Sequence, residues 1–438
     1  MSNYRFQIEQ YHSIGKADIA INGITVLAGV NGAGKSTLAR WLYYIVNFSA
    51  IYDKNRFEEF YQVFVEELRQ YSSVLKDMAE SDGLAESISN AKRTIQETDY
   101  NGIESVKRVL TIYFNATTQF CDYLNETLAE VDKNRLIRII NYLHIETQEH
   151  DSVKEIIRKY HVSQISKGEF EENRFLKIQK ERPIGKFYEK AKRLYKEIDY
   201  PKNLHFQEDG VDIISKEKIG DLLGLDDAIY IDTPMALSVI DSTNQFWKDL
   251  RYMLVDSVDK ADGENAIKTL LAQVRSITGG ETSEKKDITG QEELLFTRKS
   301  DNLRIKLENV ATGIKSFAYI ERLLQNGRLT DSTILIIDEP EAHLHPQWIV
   351  EFARLLVLLN KKVGLKIMIA SHDPDMVSAI RYVAEAEDVL SNTNFYIAEE
   401  KGNSQTYIYK DLGNDIEPIF LSFNKSYELI EKYGIDNG

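Results

Sequence analysis

The sequence predicts an α/β fold with a mainly parallel sheet, interrupted by a large α-helical insertion. Three observations predict it. A short β-prone apolar run, Ile24–Leu27, feeds a glycine-rich loop that ends in Lys35-Ser36-Thr37 and a helix-compatible stretch. A second apolar run, Ile334–Ile337, ends in the acids Asp338 and Glu339. Between them, residues 49–200 hold few helix breakers: the first proline is Pro183, and glycine is sparse.

From the N-terminus, Tyr4–Glu9 alternates like a strand, and Ile19 and Ile21 alternate again, so a hairpin leads into the loop strand. After Thr37 a helix carries Trp41, Leu42, Ile45 and Val46. In the insertion, Phe57, Phe60, Tyr61, Phe64, Val65, Leu68, Tyr71, Val74, Leu75 and Met78 form one apolar helix face. Similar faces recur at 103–110, 120–131, 136–143 and 153–160. They are wide and hold no strict heptad, which favours a compact helical lobe over a long coiled-coil arm.

Within the insertion, Arg174–Lys196 interleaves Lys177, Lys180, Arg182, Lys186, Lys190, Lys192, Arg193 and Lys196 with Phe175, Phe187, Tyr188 and Tyr195. Such a run offers a contact for nucleic acid. A solvated amphipathic helix accounts for the same residues and is the preferred reading, because Glu181, Glu189 and Glu197 dilute the charge.

Past Pro201, residues 201–224 are expected to connect back to the sheet, which resumes at Ala228–Asp232. Helices are expected at 244–258 and 265–277. A polar surface loop at 281–291 and a hairpin of 294–297 with 303–307 follow. Asn309–Leu324 sets a glycine before a helix with Phe317, Ile320, Leu323 and Leu324 on one face. Lys366–Ala370 is a core strand ending in Ser371-His372; a closing hairpin at 394–399 and 405–409 and a helix at 416–433 end the reading.

At 438 residues and 43% apolar content, the chain can bury one large core or two ordinary ones. It has no run of 18 apolar residues and no basic-then-apolar leader pattern, so neither a membrane span nor export is expected and a cytoplasmic location is. Its one cysteine, Cys121, gives no internal disulfide and no zinc cluster. The formal charge of −15 disfavours indiscriminate nucleic-acid binding, though a local basic groove stays open.

The chemistry sits in four segments. Asn31, Gly32, Ala33, Gly34, Lys35, Ser36 and Thr37 make a phosphate-binding loop: glycines aim successive backbone N–H groups into a concavity, and the helix N-terminus adds its dipole. Lys35 reaches the β and γ phosphates of ATP, and the Ser36 hydroxyl ligates Mg²⁺. Asp338, at the carboxyl edge of a buried strand, holds the same metal; Glu339 polarises the attacking water. His372, at the tip of another core strand, is placed to sense the γ-phosphate. Thr312 and Gly313, opening a helix, suit a phosphate offered by a second subunit. His343 and His345 lack a third ligand nearby and belong to the turn after the acids.

The order GVNGAGKST, ATGIKSF, ILIIDEPEAHLHP and SH resembles the ABC-type ATPases of the SMC and OLD-like superfamily, often described as AAA-family ATPases. The match covers 1–48 and 225–438, an ABC-type ATPase head, and leaves the 49–200 insertion without a motif. By this resemblance Lys35 and Ser36 stand as the Walker A pair, Asp338 and Glu339 as Walker B, and His372 as the switch histidine. Residues 310–315 align with the signature segment but carry Ala311 where a serine usually contacts the opposing phosphate, a departure that implies slow turnover. His345 stands where transporter relatives carry an aspartate. The resemblance implies a homodimer, or higher oligomer, that sandwiches ATP head to tail. It also implies a separately encoded effector, a nuclease or toxin, as in DNA repair or Septu-type anti-phage systems. With 66 residues after His372, no appended Toprim nuclease is expected. Two other readings stay open: a nucleotide-gated scaffold with little turnover, kept alive by Ala311, and a transporter's nucleotide-binding subunit, which the insertion and the signature argue against.

Overall fold

In the computed structural model of the chain, the described residues are 2–78, 82–128, 133–148, 150–238, 243–258, 264–286, 292–402, 405–423 and 432. They divide into two compact units, one of Met1–Ala50 with Pro183–Gly438 and one of Ile51–Arg182. No helix among the described residues is long and apolar enough to cross a membrane.

In the first unit, β1 (Tyr4–Tyr11) and β2 (Ile14–Ile21) pair as an antiparallel hairpin with Phe6 opposite Ile19. Strand β3 (Ile24–Ala28) is buried along its whole length and runs through the glycine loop into α1 (Lys35–Ala50). A strand buried on both faces reads as an unbroken apolar run, which is why no alternation marks it.

The second unit holds α2 (Tyr52–Asp77), α3 (Asp82–Gln96), α4 (Ile103–Thr127), α5 (Lys133–Tyr142) and α6 (Val153–Glu181). Their apolar faces meet in one core built on Phe57, Phe64, Leu68, Tyr71, Tyr113, Phe120 and Phe175. Tyr71 stacks on Phe120 with ring centroids 4.2 Å apart. The faces expected at 103–110 and 120–131 belong largely to one helix, α4, with Tyr113, Ala116 and Thr117 buried between them. A capping box between Ser152 and Glu155 starts α6, and Arg182, in the left-handed region before Pro183, stops it.

The helix α7 (Ile184–Tyr195) therefore falls in the first unit, so the basic run Arg174–Lys196 is split between the two. Its aromatics are occupied as well. Phe187 and Phe175 are buried, and Tyr195 donates a hydrogen bond to Asp249 Oδ2 at 3.0 Å. Phe175 and Phe187 are thus spent on packing, while Tyr188 stays half-buried.

The stretch expected as a connection, 201–224, contains β4 (Asn203–Glu208) and β5 (Val211–Ile214), which extend the sheet beyond β1. Next come β6 (Asp227–Ile231), α8 (Gln245–Val255, capped by the Asn244 side chain) and α9 (Glu264–Thr278). Glu281–Lys286, expected as loop, is instead strand β7, paired with β8 (Glu292–Arg298), which pairs with β9 (Leu303–Lys306). Thr282 is its buried residue, facing Phe296 across the pair, while charged neighbours line the strand. The rest of that expected loop lies outside the described residues.

Then follow α10 (Thr312–Gln325), β10 (Thr333–Asp338), α11 (Pro346–Val363), β11 (Lys366–Ser371), α12 (Pro374–Ala386), β12 (Thr393–Glu400), β13 (Tyr407–Gly413) and α13 (Glu417–Phe423). Most of the helix expected at 416–433 beyond Phe423 lies outside the described residues. The strands form a ten-stranded sheet in the order β5-β4-β1-β2-β13-β12-β3-β11-β10-β6. Its β12-β3-β11-β10-β6 part is parallel. Registers Ser371 to Ala28, Asp338 to Ala370 and Ile337 to Ile231 bring the carboxyl ends of β3, β11, β10 and β6 to one edge. In an open parallel sheet that edge is where ligands bind.

Candidate nucleotide-binding site

The glycine loop leaves β3 at that edge. Gly32 and Gly34 have φ of 82° and 93°, in the left-handed region that side chains avoid. Gly34 has a second reason to be glycine, since a Cβ there would lie 2.6 Å from Ile14 Cγ1. Ala33 is buried, its N–H closes on Val30 O at 3.3 Å, and its carbonyl accepts from the Tyr409 hydroxyl at 3.1 Å. Asn31, Gly32 and Ser36 face solvent. Lys35 is buried, and its Nζ donates to Gly29 O at 2.8 Å and Val30 O at 3.1 Å. Burial pulls its pKa down; the nearby charges of Asp338, Glu339 and Glu341 pull it back up.

Asp338 ends β10. Its Oδ2 accepts from the Tyr230 hydroxyl at 3.1 Å, and its Oδ1 is buried without a hydrogen-bond partner. Burial raises the Asp338 carboxyl, while the Ser36 and Tyr230 hydroxyls and the Lys35 charge lower it. Glu339 has φ of 50°, a left-handed conformation uncommon for a non-glycine residue. Its N–H still bonds across the sheet to Ala370 O at 2.8 Å. Neighbours on a strand point to opposite faces. The left-handed twist at Glu339 breaks that alternation and brings its Oε1 within 3.4 Å of His372 Nδ1.

His372 follows β11 directly. Its Nδ1 is buried and makes no aligned hydrogen bond, although it lies 3.4 Å from both Glu339 Oε1 and Glu341 Oε1. Glu341 is the residue that the sequence reading did not single out. It is buried, and its Oε1 accepts from Ser371 Oγ at 2.9 Å and from His372 N at 3.0 Å. Its one local signal is that it is a third acid within four residues.

The signature segment has different neighbours. Thr312 Oγ1 lies 4.0 Å from Met235 Sδ, and Lys315 Nζ donates to Ser238 Oγ at 2.7 Å. Gly313 is packed so that a Cβ would stand 3.2 Å from His343 O and 3.3 Å from the Trp348 ring. A side chain there would press on the turn after the acids. Ala311 caps α10 with no side-chain hydrogen bond and is exposed. In that turn His343 has φ of 66°, and His345 Nδ1 caps α11 by accepting from Gln347 N at 3.4 Å. The structure gathers Lys35, Asp338, Glu339 and His372 at one edge; the contacts of Thr312 and Gly313 run elsewhere.

A family profile described as AAA ATPase domain matches residues 4–377. The energy-coupling factor transporter ATP-binding protein EcfA2 of Clostridium perfringens (strain SM101 / Type A) is 40% identical over 72 residues, 16% of this chain and 25% of that protein. The Old nuclease of Escherichia phage P2 is 31% identical over 102 residues, 23% of this chain and 17% of that protein. The chain thus spans a quarter or less of the length of these curated relatives. Among solved structures, the Smc head domain from Pyrococcus furiosus, with an extended coiled coil and bound to the C-terminal domain of ScpA, aligns at a TM-score of 0.36 and 10% identity, over 99% of this chain and 100% of that one. The profile runs from the first strand to the helix behind His372, so the chain belongs to the AAA ATPase domain family.

Proposed function

We propose that the chain binds ATP with Mg²⁺ at the Gly29–Thr37 loop, hydrolyses it slowly in a head-to-tail homodimer, and so acts as a clamp for a separately encoded effector, a nuclease or toxin, in phage defence or DNA repair. One observation carries the catalytic part. Asp338 Oδ1 is buried with no partner beside a lysine whose hydrogen bonds go to backbone carbonyls, and Glu339 has been turned out of the strand toward His372. An orphaned carboxylate oxygen in a protein interior is costly unless something fills its shell. Mg²⁺ prefers oxygen donors, so Asp338 and the Ser36 hydroxyl fit it, and the bound ion would supply charge neutralisation to the β and γ phosphates.

The chain's own residues divide the remaining work. Lys35 would exchange its carbonyl partners for phosphate oxygens, favourable for a cation whose burial is otherwise penalised. Glu339 would orient and polarise the attacking water, and His372 would contact the γ-phosphate. The backbone N–H groups of Asn31–Thr37 would cradle the phosphates. The dimer rests on the start of α10, where the exposed Ala311 gives no side-chain cap and Thr312, with the buried Gly313 behind it, would meet the second subunit's nucleotide.

Ala311 favours a second reading, a nucleotide-gated scaffold, because it brings no hydroxyl to that contact. Glu339→Gln separates the two. In the clamp reading, the variant accumulates an ATP-bound dimer by light scattering, while Lys35→Ala stays monomeric and binds no nucleotide. A Glu339→Gln chain that is monomeric at saturating ATP refutes the sandwich. Wild-type turnover no faster than that of Lys35→Ala selects the scaffold.

A further inference from the structure

We propose that Glu341 is a positioning residue that takes the Nδ1 hydrogen of His372 and thereby leaves the Glu339 carboxylate free for water; this rests on the ATPase reading above. Three observations lead there. Glu341 is nine-tenths or more buried, with a side chain 5% exposed, whereas the Glu339 side chain is 43% exposed. Its Oε1 is fixed by two donors from the end of β11, Ser371 Oγ and the N–H of His372 itself. Its Oε2 is buried and has no partner, so the carboxylate keeps unused acceptor capacity.

The same Nδ1 stands 3.4 Å from one oxygen of each glutamate and is aligned with neither. A small rotation of the ring therefore decides which glutamate accepts. The two acceptors are unequal. An acceptor buried at fixed geometry forms a stronger hydrogen bond than one exposed to water, where solvent competes for it. Burial also raises the Glu341 carboxyl, so a hydrogen donor beside it relieves part of that penalty. Lys35 lies in the field of both acids.

With Nδ1 turned to Glu341, the ring is held by its buried edge, and the edge away from Nδ1 faces the solvent side of the site. His372 is 41% exposed although Nδ1 is buried, which agrees with that orientation. If Glu341 is neutralised, the remaining carboxylate within reach is Glu339. The histidine then closes on the group that should be polarising water. Glu341 acts through His372, as the orienting carboxylate does behind a catalytic or metal-bound imidazole.

The test uses the full chain labelled with ¹⁵N-histidine, the His372 signals being assigned by their loss in His372→Ala. Glu341→Gln should shift the His372 Nδ1 resonance, and Glu339→Gln should leave it in place; the reverse pattern overturns the proposal, and so does a spectrum that neither variant changes. Because Glu339 is exposed, a His372 shift in Glu339→Gln overturns the proposal even where Glu341→Gln folds poorly. In turnover, Glu341→Gln should lower kcat about tenfold, within the range for loss of a histidine's orienting partner. Its KM for ATP should stay within about twofold, since the phosphate loop is untouched. On top of His372→Ala it should cost nothing further, and an undiminished additional loss there would assign Glu341 a merely structural role. A wild type that turns over no ATP would end the ATPase reading, yet the resonance pattern would still decide which glutamate holds His372.

Discussion

The Tyr230 hydroxyl, on β6, donates to Asp338 Oδ2 at 3.1 Å and leaves Oδ1 of the same carboxylate buried and unpartnered. The tyrosine comes from the neighbouring parallel strand, where Tyr230 lies in register with Ile336. One oxygen is thus occupied by the protein and the other has no hydrogen-bond partner. Tyr230→Phe removes the hydroxyl with little change of shape, and the freed oxygen can then turn toward the position of the unpartnered one. A hydrogen bond to a charged group contributes about 1.5–3 kcal/mol, so Mg²⁺-dependent ATP affinity should fall by roughly tenfold or more. Calorimetric titration with and without Mg²⁺ reads this. Metal-free nucleotide binding should be unchanged, and a loss equal in both conditions would assign Tyr230 to packing alone.

Gly313 lies where a Cβ would meet His343 O at 3.2 Å and Trp348 at 3.3 Å. Gly313→Ala asks these neighbours to yield by a few tenths of an ångström. Gly313→Val adds two methyl groups beyond the alanine Cβ and should destabilise the fold by about 1–3 kcal/mol, the usual cost of overpacking. Thermal unfolding without nucleotide should show the ordering wild type, then Ala, then Val. Equal melting temperatures for all three would mean that the glycine answers to the nucleotide and not to the turn.

Asp227 opens β6 beside Arg328, and burial pushes its carboxyl up to about 6. The folded chain therefore holds this proton more tightly than the unfolded one. The associated penalty is absent below the ordinary carboxylate range, grows as pH rises, and is complete above about 6. Asp227→Asn should accordingly be more stable than wild type at neutral pH, by about 1–2 kcal/mol after allowing for the side chain's partial exposure. Melting temperatures across pH should converge from 6 toward 4. A variant less stable than wild type at pH 7.5 would show that the Arg328 interaction outweighs the burial.

Phe187, in the basic segment, is 1% exposed and packs against Phe48 and Trp41, with ring centroids at 5.3 and 5.8 Å. Phe187→Ala should cost about 3–5 kcal/mol of stability, as removal of a buried aromatic ring does. Charge reversal of the exposed Lys192, Arg193 and Lys196 should leave the melting temperature within a few degrees. If the segment binds nucleic acid, only the second set should flatten the salt dependence of binding. An unchanged slope would retire the segment as an interface.

Much of this fold was legible because its strongest signals are local. Val26 and Leu27 run into Gly32, Gly34 and Lys35, and Ile334–Ile337 run into Asp338, in the order that a phosphate-binding edge requires. The structure adds what local pattern does not encode. Strand β4 carries Leu204 and Phe206 as its buried alternation, too short to stand out before it pairs with β1. Strand β7 is charged along most of its length and becomes a strand through pairing with β8. In α4, the polar stretch around Asn115 and Thr118 broke the apparent stripe, although Thr117 is buried and lies 3.4 Å from the Tyr71 hydroxyl. Glu341 went unread because an acid after a proline looks like an ordinary turn residue. Its role depends on Ser371 and His372, thirty residues away along the chain.

The hydrogen bond from Tyr409 to Ala33 joins residues 376 positions apart. It belongs to a sheet in which β12 and β13 are wedged between β2 and β3, strands adjacent in sequence but not in space. During synthesis, the glycine loop leaves the ribosome long before the strands that flank and brace it. A nascent chain carrying Gly29–Thr37 but not yet Tyr407–Gly413 has the loop's residues without its frame. ATP-binding competence should consequently arise late and abruptly, when the last strands insert. Long-range closure of this kind is also slow, so the interval before it is the one in which the exposed edges of β2 and β3 most need a chaperone.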